Sequence, residues 1–104
     1  MNKIKVIIKR LDEEIGHVTW ISDSLKNLQG IVGGPIEIVT IAKNVAIICN
    51  EEGRIRGLVP NAKICGIDFV GDVIIVGVNG EELTSIPKDL TMKVYKELFL
   101  GRRD

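Results

Sequence analysis

The sequence predicts a single α+β domain over residues 1–104, with a largely antiparallel or mixed, twisted sheet of about five to six strands and two helices packed on it. Three observations lead there. The chain holds 17 Ile and 11 Val against 8 Leu, and β-branched side chains suit pleated strands. Two segments, near 23–32 and 87–100, place apolar residues at helical spacing. Turn signals at Lys43-Asn44, Asn50-Glu51-Glu52-Gly53 and Asn79-Gly80 separate aliphatic runs.

Lys3 to Lys9 alternates, with Ile4, Val6 and Ile8 on one face and Lys3, Lys5 and Lys9 on the other, Ile7 being the exception. This predicts a strand with one wet face. After Asp12-Glu13-Glu14, the run His17 to Ile21 predicts a second short strand. Ser22 is placed as an N-cap and Asp23 beside it complements the helix dipole, so a helix is expected from about Asp23 to Val32. Leu25, Leu28 and Val32 share one of its faces, Gly33 supplies a left-handed stop, and Pro35 bars continuation.

Ile36 to Ala42 and Val45 to Cys49 read as an antiparallel pair joined by Lys43-Asn44. Asn50 to Gly53 suits a type I turn with a glycine bulge, which predicts a return strand from Arg54 to Val59 closed by Pro60-Asn61. Val73 to Val78 is apolar nearly throughout and predicts a central strand buried on both faces. Asn79-Gly80 then turns the chain back through Glu81 to Ser85. Pro87 opens a second helix whose stripe is Leu90, Val94, Tyr95, Leu98 and Phe99, with Gly101 as its stop and residues 102–104 as a frayed tail.

Composition narrows the function classes. Fourteen basic and fourteen acidic residues cancel, which removes the long-range attraction on which nucleic-acid and anionic-membrane binders rely. Met1-Asn2-Lys3-Ile4-Lys5 lacks the apolar run of a signal peptide, and no apolar segment approaches membrane-spanning length. A soluble cytoplasmic protein with no membrane or nucleic-acid partner is the expectation. Cys49 and Cys65 stand apart in aliphatic surroundings and read as small hydrophobes in a reducing compartment.

No segment carries a catalytic signature. Gly33-Gly34 follows a helix and precedes a strand, so an anion there would meet the carbonyl end of the helix rather than its free amides. His17, the single histidine, has no nucleophile beside it and cannot complete a zinc site with two isolated cysteines. The pairs Glu13-Glu14, Glu51-Glu52 and Glu81-Glu82 sit at turns and read as solvated. No cofactor, metal site or catalytic residue is expected. Gly30 inside the first helix invites close contact with a strand or a partner, since glycine there costs about 1 kcal/mol relative to alanine.

Leu28-Gln29, Val32-Gly33-Gly34, Ile36-Glu37, Asn50-Glu51-Glu52-Gly53, Gly57-Leu58, Pro60-Asn61 and Val76-Gly77 follow one another in order. In this series the chain resembles the domain of unknown function 3846 family of small bacterial, phage and mobile-element proteins, over about residues 25–78. The family usually continues Pro60-Asn61 with arginine, where this chain has Ala62-Lys63. The resemblance implies an accessory gene of a phage, plasmid or integrated element and carries over no functional residue.

The expected function is therefore a non-enzymatic module that binds a protein or small ligand. Its candidate site residues are the polar side chains next to the glycine-rich junctions: Gln29, Glu37, Asn50, Glu51 and Asn61. The alternative is a small metal-dependent hydrolase or nucleotide-processing enzyme using Glu37, Asp68 or Asp72, which requires at least two of these carboxylates to converge in a cleft with a raised or coupled pKa. The second alternative is a structural homo-oligomer paired through Lys3 to Lys9 or another exposed sheet edge.

Overall fold

The computed structural model describes residues 3–102; the expectations for Met1, Asn2, Arg103 and Asp104 lie outside the described residues. In chain order the elements are β1 (Lys3–Lys9), β2 (His17–Ser22), α1 (Leu25–Val32), β3 (Ile36–Ala42), β4 (Val45–Asn50), β5 (Pro60–Ile64), β6 (Ile67–Val70), β7 (Val73–Asn79), β8 (Glu82–Thr84) and α2 (Met92–Val94), which runs into a π-helical turn (Tyr95–Phe99). A six-stranded antiparallel sheet has the order β2-β1-β7-β4-β3 with β8 also on β7, and β5-β6 form a separate two-stranded ribbon. The α+β class and the two helices agree with the sequence.

The main sheet is covered on both faces. One face is sealed by α1, whose Leu28 and Val32 pack on Ile4, Val6, Ile8, Ala46, Ile48, Ile74 and Val76. The other carries Ile7, Val45, Ile47, Val73 and Ile75 beneath a second layer made of Ile64 and Phe69 from the ribbon together with Ile86, Leu90 and Tyr95. β4 is buried at every position, and β7 from Val73 to Gly77, which is why these two strands read as continuous aliphatic runs. The second layer also removes Lys9 from the predicted wet face, leaving it 4% exposed beside Ile7.

The first helix is capped two residues later than expected. Ser24, not Ser22, accepts from Asn27 N–H, and the helix starts at Leu25. Its stop is as predicted, with Gly33 at φ 82° and its N–H donating to Gln29 C=O. Gly30 has open space where a Cβ would stand, so no strand of this chain closes on it. Gly30→Ala is therefore expected to raise stability by about 1 kcal/mol, read as a shift in the urea midpoint.

Three expectations need correction. Arg54 to Val59 is not a strand paired with β4: β4 is flanked by β3 and β7, and the loop folds on itself through Arg56 N–H to Glu52 C=O and Leu58 N–H to Gly53 C=O. Asn50 does begin that turn, its Oδ1 accepting Glu52 N–H at 2.8 Å, but Gly53 lacks positive φ. It is glycine because a Cβ would meet Val70 of β6 at 2.8 Å. The hairpin that the sequence reading missed is β5-β6, turned by Cys65-Gly66 with φ of 51° and 79°, the paired positive values of a type I′ turn. Cys65 is thus an exposed turn residue, whereas Cys49 is buried as expected.

The second helix also departs from the expectation, starting at Met92 rather than at Pro87. Pro87 to Leu90 forms a turn, and Thr91 is the N-cap, accepting Val94 N–H at 3.2 Å. Tyr95 is fully buried and donates its hydroxyl to Ile15 C=O at 2.6 Å, tying the helix to the β1–β2 connection. Leu98, assigned to the apolar stripe, is 71% exposed. Arg102 N–H donates to Lys96 C=O and its guanidinium pairs with Glu14.

Candidate functional site

A cleft of about 220 Å³ opens on the ribbon-covered face of the sheet, between the β3 edge and β6. Val39, Ile67, Phe69 and Val70 give it apolar walls, and Glu37, Glu51, Asp68 and Arg54 give it charge. The fold assembles it from three sources. Antiparallel register sets Glu37 opposite Cys49, the turn after β4 brings Glu51 and Arg54 round, and the Cys65-Gly66 hairpin carries Asp68 back across them. Glu51 N–H donates to Pro35 C=O at 2.7 Å, fixing the turn to the start of β3. Arg54 is anchored on Asp68 C=O at 2.6 Å, so its guanidinium ties the loop to β6. Lys63 stands 4.0 Å from the Asp68 carboxylate on the exposed side of the ribbon.

The cleft's thiol is kept in its protonated form. Burial, then the Glu37 carboxylate 3.9 Å from Sγ, pushes Cys49 up to about 11. A nucleophilic cysteine needs the opposite surroundings, a lowered value beside cations. The lining residues carry three carboxylates against one guanidinium, on apolar walls, which suits a ligand with a cationic end and an aliphatic body.

Three of the five predicted site residues meet here: Glu37, Asn50 and Glu51. Of these, Asn50 is 5% exposed and its side chain is committed to the fold, donating to Val32 C=O at 3.2 Å as well as accepting from Glu52. Gln29 lies on α1, across the main sheet from the cleft, and its carbonyl accepts the N–H groups of Gly33 and Gly34. Asn61 is also elsewhere. It accepts from Lys9 Nζ at 2.6 Å and donates to Lys9 C=O and Gly71 C=O, while Lys9 Nζ also donates to Glu13 C=O at 2.7 Å. Burial lowers the Lys9 ammonium from its usual 10.5.

Two of the three carboxylates of the metal-enzyme alternative, Glu37 and Asp68, share the cleft. Asp72 does not join them, accepting instead from the Arg10 guanidinium at 3.1 Å and from Leu11 N–H at 2.8 Å. Among the described residues no three of His, Cys, Asp and Glu are placed to hold a metal ion. Arg54, Ile67, Phe69 and Val70 were missing from the sequence-based site. The available signal was Cys65-Gly66 between two β-prone runs, which would have folded residues 67–70 back toward the turn after β4.

Glu13 is more than a solvated turn residue. It accepts Arg10 N–H at 3.0 Å and meets His17 Nδ1 at 2.6 Å. Burial raises its carboxyl, but these bonds and the nearby charges outweigh burial and hold it below the usual 4.5. A lowered folded-state value means the contribution is complete above the ordinary carboxylate range and is lost as pH falls through the folded value. The urea midpoint of the parent is expected to drop more steeply below pH 4.5 than that of Glu13→Gln. Parallel acid limbs would contradict this.

The family model described as a domain of unknown function (DUF3846) matches residues 4–100. That span extends the resemblance at both ends, to take in β1, β2, β8 and the second helix. No curated protein and no solved structure matches the chain.

Proposed function

The chain belongs to the DUF3846 family, and from that premise and the cleft geometry we propose that it is a non-enzymatic binding module. Its ligand is a basic group, either a lysine or arginine side chain of a partner protein or a small amine, held between β3 and β6. The observation that carries this reading is the cleft itself, with Glu37, Glu51 and Asp68 around Val39, Ile67, Phe69 and Val70. A cation entering it gains charge-assisted hydrogen bonds at the rim while its stem covers the apolar walls. The protonated Cys49 at its floor supports recognition rather than covalent chemistry.

The family setting supports the further reading of a phage or mobile-element accessory protein acting in the cytoplasm. Two free cysteines agree with a reducing compartment, and no helix among the described residues is long and apolar enough to cross a membrane.

Calorimetric titration with acetylated, amidated arginine tests the site. Binding is expected to weaken about tenfold or more in Glu37→Gln combined with Asp68→Asn, at unchanged thermal stability, because both groups are exposed. No heat with the parent, or equal affinity in the double variant, would contradict the proposal.

A further inference from the structure

The main sheet ends in β2 at one edge and β3 at the other, and only β3 carries the devices that keep an edge from pairing. β3 follows Pro35, holds Glu37 and has a register shift between Thr40 and Ala42. β2, His17–Ser22, has no proline, no Lys, Arg, Asp or Glu, and no register shift against β1. An edge of that kind is a template for another strand.

The hydrogen-bond pattern shows which β2 groups are on offer. Lys5 N–H donates to Ser85 Oγ at 2.9 Å and Lys5 C=O accepts Ile86 N–H at 2.9 Å. Both main-chain groups of Lys5 therefore point away from β2. Trp20 lies opposite Lys5, and opposed residues of an antiparallel ladder share one bonding state. The N–H and C=O of Trp20 accordingly point outward, and the two-residue alternation gives Val18 and Ser22 the same direction. Asn27 Nδ2 already occupies Ser22 C=O at 2.8 Å, as this assignment requires. Val18 and Trp20 keep theirs free among the described residues, and the two residues, 37% and 59% exposed, place their side chains on one face.

We propose that two copies of this chain pair through β2, antiparallel, across a two-fold axis at Thr19. Val18 of each copy then opposes Trp20 of the other, both outward-pointing, so each such pair exchanges two backbone hydrogen bonds. The same register stacks each Trp20 on a β-branched Val18, a favourable cross-strand pair. Thr19 meets its own counterpart on the axis, on the opposite face. No like charges are opposed along the strand, and a chain with 14 basic and 14 acidic residues carries no net repulsion between copies. The cleft lies by the β3 edge, so pairing at β2 leaves it open in both copies.

Sedimentation velocity over a concentration series tests the pairing, with a site-specific crosslink as the second measurement. The mass is expected to rise from 11.5 kDa toward twice that value. Trp20→Lys is expected to raise the dissociation constant about tenfold or more while leaving the circular dichroism spectrum unchanged. In a Cys65→Ser background, Thr19→Cys is expected to crosslink on mild oxidation, since a non-hydrogen-bonded pair sets the Cα atoms about 4.5 Å apart, within disulfide reach. Val18→Cys, offset from its own counterpart, is expected to crosslink far more slowly. A single-chain mass at every concentration, a dimer indifferent to Trp20→Lys, or equal crosslinking at positions 18 and 19 would overturn the proposal.

Discussion

Gly77→Ala is expected to destabilise the protein by about 4 kcal/mol or more, a loss at the extreme of single substitutions. Gly77 sits where β7 changes neighbours on one side. It pairs with Val45 of β4 and with Thr84 of β8, so β8 takes the place that β1 holds further along β7. Immediately after β8, the chain crosses over Gly77 to bring Ser85 and Ile86 onto Lys5. A Cβ at position 77 would lie 2.0 Å from Ser85 C=O and 2.7 Å from Thr84 Oγ1. The nearer obstacle is backbone, with no flexible end to move aside, so the crossing itself must open. Equilibrium urea unfolding gives the size, and loss of hydrogen-exchange protection from β8 amides gives the place. A variant within about 1 kcal/mol of the parent would show that the crossing is soft.

Asn61→Ala is expected to cost about 3–5 kcal/mol. One amide side chain holds three groups: it accepts from the Lys9 ammonium and donates to Lys9 C=O and Gly71 C=O. Truncation leaves the ammonium of Lys9, a residue 4% exposed, with Glu13 C=O as its remaining hydrogen-bond acceptor among the described residues and strips both carbonyls of this donor. The companion substitution separates charge from packing. In an Asn61→Ala background, Lys9→Met removes the under-bonded ammonium and is expected to recover part of the loss, because a buried charge short of partners is worse than an apolar chain of similar length. Matching losses for the single and double variants would contradict that account.

The same residue shows where sequence reading reaches its limit. Asn61 was singled out as a polar side chain beside a proline in a turn-like setting, and that position fits a functional group and a structural one equally well. What decides it is Lys9, 52 positions away along the chain, whose burial follows from a second layer that local periodicity does not encode. Elements whose cause is local were readable. The Gly33 stop, the Lys43-Asn44 connection and the apolar run of β7 each depend on a few neighbouring residues. The Asn79-Gly80 hairpin also formed, with Gly80 rather than Asn79 as the first turn residue at φ 63°, the pattern of a type II′ turn.

The cleft was half legible for the same reason. Glu37, Asn50 and Glu51 belong to one contiguous stretch around the β3-β4 hairpin and were found together. Asp68, Phe69 and Val70 come from β6, and their arrival depends on Cys65 accepting a left-handed conformation that residues other than glycine rarely adopt. Reading Cys65 as a buried hydrophobe concealed the hairpin and with it the cleft's second wall. The free edge at β2 was equally hidden. The strand first considered for pairing, β1, lies inside the sheet between β2 and β7.

Backbone amide shifts of the labelled protein, followed while acetylated, amidated arginine is added, read the cleft residue by residue. Saturable shifts are expected only at Glu37, Val39, Cys49 to Glu51, Arg54 and Ile67 to Val70, with the remote carboxylates at Glu81, Glu82 and Glu97 silent. Shifts spread evenly over those remote acids, or none at the cleft, would contradict the proposed function.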